Sequence, residues 1–122
     1  MALSVSDANA AVPKISVEEA RRLVAEERAL LVDVREGTEL ASSGKLKGAA
    51  HVPRGMIESH ADTASASHDP AFRKDRPIIL YCAAGGRAAS AGKMLKEMGY
   101  SKVHNLGGVK DAAAGGFETE PA

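Results

Sequence analysis

Hydrophobic residues recur at helical spacing in two stretches of the chain. The first predicts a helix from Ser16, which with Glu19 makes a capping box, to about Arg28. Its apolar face comprises Val17, Ala20, Leu23 and Val24. The second stretch predicts a helix that ends at Gly99. Its apolar positions are Ala88, Ala91, Leu95 and Met98.

Continuous apolar runs predict strands that are buried on both faces, as in a parallel sheet. The runs cover residues 29–34 and 77–82, and two shorter strands are predicted at residues 49–52, where Pro53 stops the strand, and at residues 103–106. A weak helix follows Gly107 and Gly108, and residues 54–76 are expected to be a surface loop with a helical turn or two. The alternation of helices and strands predicts an α/β protein with a mainly parallel central sheet.

Composition limits the classes of function. The chain has 122 residues, enough for one domain, and 16 basic residues balance 16 acidic ones. Aromatic residues are only 3% of the chain, which disfavours binding of single-stranded nucleic acid by base stacking. The first residues lack the pattern of a signal peptide and no apolar run is long enough for a membrane span, so we expect a cytoplasmic protein that binds neither nucleic acid nor membrane.

One cysteine, Cys82, carries the candidate chemistry. It ends the most apolar strand and precedes a loop of small residues and a helix. Ligands bind at this edge of an open parallel sheet, and the backbone amides of such a loop can form an anion-binding nest beside the positive end of the helix. A thiol in this setting loses its proton easily, so we expect Cys82 to be a nucleophile. The four histidines have no compact metal-binding spacing, and no metal is expected.

Five short motifs follow one another along the chain. The central one is Tyr81-Cys82-x-x-Gly85-x-Arg87, in which the arginine stands five positions after the thiol. The others are Asp33-Val34-Arg35-Glu36, Gly48-Ala49 before Pro53, Leu95-x-x-x-Gly99-Tyr100 and Asn105-Leu106-x-Gly108. Together, in this order and spacing, they resemble the rhodanese (sulfurtransferase) family. The resemblance spans about residues 15–118, which leaves a flexible leader (1–14) and a C-terminal tail (119–122). It implies a rhodanese-like fold whose sheet has helices on both faces.

The resemblance also implies an activity. Cys82 would accept a sulfane sulfur from a donor such as thiosulfate and pass it from a persulfide to cyanide or a thiol. The implied thiol acceptors are glutathione or a thioredoxin-like protein. No metal or organic cofactor is implied, and a homodimer stays open. The sulfur cradle would comprise Ala83, Ala84, Gly85, Gly86 and Arg87, with Arg87 closing the loop and adding positive charge toward the donor.

Two other functions stay open. Phosphatases and arsenate reductases of this fold have a loop one residue longer, so the shorter loop favours sulfur chemistry. A binding or sensor module would keep the fold without catalysis. Asp33 and Arg35 either shape the pocket or form a structural ion pair, which we favour because partly buried charges require partners. The chain departs from the family pattern at Lys45, where a histidine is usual, and at Ala112, where a tryptophan is usual, so the C-terminal helix is expected to pack less firmly.

Overall fold

A four-stranded parallel sheet forms the centre of the protein in the computed structural model, which describes residue 12 and residues 14–121. Its strands run in the order β3-β1-β4-β5. Their bounds are β1 (Leu30–Asp33), β3 (Ala50–His51), β4 (Ile78–Cys82) and β5 (Val103–Gly108). Two further short strands, β2 (Lys45–Leu46) and β6 (Thr119–Glu120), form a separate antiparallel pair.

Five α-helices and one 3-10 turn surround the sheet in the described part of the chain. The helices are α1 (Val17–Glu27), α2 (Gly37–Ser43), α3 (Ile57–Ala61), α4 (Gly86–Glu97) and α5 (Val109–Ala114), and the 3-10 turn is Arg54–Met56. The predicted cap of α1 is half confirmed. The Ser16 hydroxyl accepts from the amide of Glu19, whereas the Glu19 carboxylate accepts from Arg22.

Successive side chains of a strand face opposite sides of a sheet, and the sheet therefore separates two cores. Ile78, Leu80 and Cys82 lie in one core with residues of α3 and α4. Ile79 and Tyr81 lie in the other with residues of α1 and α5. This arrangement confirms the predicted α/β class, the mainly parallel sheet and the helices on both of its faces.

Some described residues of the predicted leader and tail contact the rest of the protein. Of the predicted leader, residues 1–11 and 13 lie outside the described residues. Val12 is buried, and the backbone of Lys14 forms a parallel β-bridge with that of Asn105. In the predicted tail, Thr119 and Glu120 form β6. The Glu120 carboxylate accepts from Lys45 and from the amide of Gly48, so these contacts hold β6 against β2. Ala112 is fully buried with Phe117 packed nearby, so the position of the usual tryptophan is inside the core.

Candidate active site

The Cys82 side chain lies at the carboxyl end of β4, at the start of the predicted loop. It is 1% exposed, and its Sγ accepts a hydrogen bond of 2.9 Å from the amide of Gly85. Helix α4 begins at the next residue, so its N-terminal end lies beside the sulfur. Since a helix N-terminus carries partial positive charge, a thiolate at Sγ is stabilised both by this hydrogen bond and by the helix.

Gly85 is needed for the shape of the loop. Its φ is +102°, a region that favours glycine, and a methyl group there would lie 3.3 Å from the Cα of Gly107. The Asn105 side chain donates to the carbonyl of Gly85 and accepts from the amide of Gly107, which ties the loop to β5. The neighbouring strand therefore holds the loop in place.

Several loop amides remain available to a ligand. Within the described residues, no acceptor is present for the N–H groups of Ala83, Ala84, Gly86 and Arg87. Ala83 and Ala84 are exposed, and Gly86 and Arg87 are half-buried. Amide groups in such a turn can stabilise an anion bound next to the sulfur.

A cleft of about 420 Å³ opens over Cys82. It is lined by Arg54, Cys82, Ala83, Ala84, Gly86, Arg87 and Ser90. The structure thus brings together the predicted nucleophile and four of the five predicted cradle residues. The fifth, Gly85, is buried beneath them, where it donates to the sulfur.

Arg87 is paired with a carboxylate. Its guanidinium donates two hydrogen bonds to Glu39 on α2, of 2.6 and 2.9 Å. This contact, helped by the amide of Glu36, lowers the pKa of Glu39 to about 2, so the pair is charged throughout the neutral range. Glu39 compensates the charge that Arg87 is expected to offer to a donor, and that role of Arg87 stays a prediction. The pair also links α2 to the first turn of α4.

Asp33 and Arg35 form the ion pair that we favoured. Both side chains are almost fully buried, and the shortest contact between them is 2.6 Å. The Arg35 guanidinium also donates to the Ser43 hydroxyl and to the carbonyl of Gly44. Through these hydrogen bonds Arg35 joins the end of β1 to the end of α2, so the ion pair supports the chain between β1 and β2. Neither side chain lines the cleft over Cys82.

Two further residues of the cleft, Arg54 and Ser90, were not predicted from the sequence. The Arg54 Nε donates to the Ser90 hydroxyl over 3.1 Å. Arg54 begins the segment of residues 54–76 that we expected to be a surface loop with a helical turn or two. A signal was nevertheless present, because Pro53 ends a strand parallel to β4, and residues that follow parallel strands meet at one edge of the sheet.

No group of three or more histidine, cysteine, aspartate or glutamate residues in the described part of the chain is placed to hold a metal ion. Among these residues no helix has the length and apolar character needed to cross a membrane.

Known proteins similar to this chain include its cysteine loop in the matched region. The sequence model of the rhodanese-like domain family matches residues 16–114. The chain belongs to the rhodanese-like domain family. A thiosulfate:glutathione sulfurtransferase from Homo sapiens is 30% identical over 105 residues, which are 81% of this chain and 90% of the relative. A sulfurtransferase from Allochromatium vinosum is 35% identical over 88 residues, 72% of this chain and 74% of the relative.

A solved structure also shares the fold over nearly the whole chain. It belongs to a Rhodopseudomonas palustris protein of unknown function and possible tyrosine phosphatase. The TM-score is 0.84 at 28% identity, and the match covers 98% of this chain and 99% of that one. The family match confirms the rhodanese-like fold expected from the motifs, and the curated relatives support a sulfurtransferase of the rhodanese type.

Proposed function

We propose that the protein transfers a sulfane sulfur from an anionic donor such as thiosulfate to a thiol or to cyanide, through a persulfide on Cys82. The observation that carries this proposal is the Cys82 sulfur, which accepts from the Gly85 amide at the base of an open cleft. A nucleophile whose thiolate form is stabilised by backbone donors is the group that such chemistry requires.

The first half-reaction loads the enzyme. The Cys82 thiolate attacks the outer sulfur of thiosulfate and forms a new S–S bond. The S–S bond of the donor breaks, and sulfite leaves with its electron pair. The terminal sulfur of the persulfide then carries the negative charge, which the free loop amides of Ala83, Ala84 and Gly86 stabilise as an oxyanion hole stabilises oxygen.

The second half-reaction restores the thiolate. An acceptor thiolate, from glutathione or a thioredoxin-like protein, or a cyanide ion attacks the outer sulfur. The bond between the two sulfur atoms of the persulfide breaks, and its electron pair returns to Cys82 Sγ. Because the enzyme is covalently modified between two separate substrates, the kinetics are ping-pong.

Intact-mass spectrometry after incubation with thiosulfate tests the proposal. We expect the wild-type protein to gain the mass of one sulfur atom, which a reductant removes, and the Cys82→Ser variant to gain none. Cys82→Ser should keep the circular dichroism spectrum of the wild type, because the two side chains are close in size. The proposal is wrong if the wild type stays unmodified and turns over no thiosulfate, or if Cys82→Ser transfers sulfur.

Phosphatase activity is the second candidate, because the Rhodopseudomonas palustris neighbour is a possible tyrosine phosphatase. The five-residue offset from Cys82 to Arg87 and the pairing of Arg87 with Glu39 both disfavour it, since a phosphate in the loop would need that guanidinium. Hydrolysis of an aryl phosphate that is lost in Cys82→Ser would favour the phosphatase. Its absence, with sulfur gained on Cys82, would favour the transferase.

A further inference from the structure

Two guanidinium groups line the cleft over Cys82, and they differ in their partners. Both terminal nitrogens of Arg87 donate hydrogen bonds to the carboxylate of Glu39. Arg54 donates through Nε to the neutral hydroxyl of Ser90, and no carboxylate within the described residues forms an ion pair with it. Among the described residues that line this cleft, Arg54 therefore carries the positive charge that no carboxylate compensates.

The backbone fixes the position of Arg54. Its amide donates to the carbonyl of Val34, the residue that follows β1. The amide of Val52, two residues earlier, donates to the carbonyl of Asp33. Arg54 is thus held at the edge of the sheet where β4 ends at Cys82. Its side chain is half-buried and lines the cleft.

Ser90 orients the Arg54 side chain. The serine lies on α4, three residues after Arg87, so it is one turn further along the helix that begins at the loop. Its hydroxyl uses one N–H of the guanidinium, at Nε. The two terminal nitrogens have no acceptor among the described residues, so they are free to bind an anion in the bidentate geometry that arginine favours.

We infer that Arg54, oriented by Ser90, binds the leaving sulfonate group of the donor while its outer sulfur faces Cys82. This inference rests on the proposed function and names the residue that selects a dianionic donor. The guanidinium neutralises charge that would otherwise repel the Cys82 thiolate. It also stabilises sulfite as the S–S bond breaks, because the leaving group gains charge in that step.

The test compares two donors that deliver the same sulfur. Thiosulfate is a dianion that releases sulfite, whereas methanethiosulfonate is a monoanion that releases methanesulfinate. In Arg54→Gln, which can keep the hydrogen bond to Ser90 without the charge, we expect KM for thiosulfate to rise about tenfold to a hundredfold. The KM for methanethiosulfonate should rise much less, and Arg54→Lys should recover part of the loss.

Lys102→Ala is the matched control for the loss of one positive charge. Lys102 precedes β5 at the opposite edge of the sheet, where its carbonyl accepts from Ile78. We expect it to leave KM for both donors unchanged. Equal changes for the two donors in Arg54→Gln, or a larger rise in KM for thiosulfate in Arg87→Ala than in Arg54→Gln, would overturn the inference.

A binding measurement separates failure of this inference from failure of the proposed function. Cys82→Ser cannot form a persulfide, so calorimetry on it reports thiosulfate binding alone. We expect the affinity to fall at least tenfold in Cys82→Ser/Arg54→Gln. If the wild type transfers no sulfur but binding still depends on Arg54, the function fails and the anion site stands. If the wild type transfers sulfur and neither KM nor binding responds to Arg54, the inference fails alone.

Discussion

At the scale of single residues, burial decides how much an ion pair contributes. Asp33–Arg35 and Asp75–Arg73 are both aspartate–arginine pairs two residues apart, and both have a shortest contact of 2.6 Å. The side chains of the first pair are 0% and 3% exposed, and those of the second are 68% and 63% exposed. A buried charge that loses its partner remains desolvated, whereas an exposed one is hydrated by water.

We therefore expect Asp33→Asn to lower the free energy of unfolding by about 3 kcal/mol, because it leaves the Arg35 guanidinium buried without a counter-charge. Asp75→Asn is the matched control and should leave the stability unchanged within error. Urea denaturation of both variants at neutral pH measures the difference. Similar losses in the two variants would show that burial does not determine how much an ion pair contributes to the free energy of unfolding.

At the scale of elements, the short strands β2 and β6 make the least predictable pairing in the molecule. Lys45 and Leu46 pair with Glu120 and Thr119, at the far end of the chain. Gly44, directly before β2, has a φ of +75°, and its carbonyl accepts from Arg35. A methyl group on Gly44 would lie 2.6 Å from the carbonyl oxygen of Glu120, so the close approach of β6 requires a glycine there.

Two glycine substitutions compare a position that makes this contact with one that does not. Gly48 has a φ of +80°, close to that of Gly44, but a methyl group on it would meet no atom within 4 Å. We expect Gly48→Ala to cost about 1–2 kcal/mol from backbone conformation alone. Gly44→Ala should cost about 1–3 kcal/mol more, because β6 must move away and because the ψ of −169° at Gly44 places its backbone in a region almost confined to glycine. Thermal unfolding of both variants checks this, and equal losses would mean that the pairing of β2 with β6 contributes nothing.

The elements that could be predicted are those whose signal is local. The apolar run before Cys82 predicted β4, because a strand buried on both faces is continuously apolar. The periodic apolar face predicted α4, because a helix buried on one face repeats every three to four residues. These two elements flank the active loop, the segment that follows Cys82. The β2–β6 pair could not be predicted, because two-residue strands show no periodicity. The contact of Arg87 with Glu39 could not be predicted either, because the two residues are 48 positions apart and no local pattern links them. Arg54 was missed because its place depends on the register of β3 with β1.

At the scale of the whole molecule, the parallel sheet brings the active loop against the end of its neighbouring strand. Cys82 on β4 pairs with Gly108 on β5. A methyl group on Gly108 would lie 2.6 Å from the carbonyl oxygen of Ala83, in the loop itself. The backbone of Gly108 is extended, so here the absence of a side chain, and not an unusual conformation, is what the sheet requires.

We accordingly expect Gly108→Ala to displace Ala83 and to lower kcat/KM for thiosulfate about tenfold to a hundredfold, because the loop amides would no longer be aligned on the sulfur. Gly37→Ala is the control: a methyl group there would make only an ordinary 3.9 Å contact with His51, so its activity should equal that of the wild type. Steady-state kinetics measure the effect, and the circular dichroism spectrum shows whether Gly108→Ala still folds. A folded Gly108→Ala variant with full activity would mean that the cradle tolerates movement of Ala83, and that the amides on the other side of the loop are sufficient to stabilise the transferred sulfur.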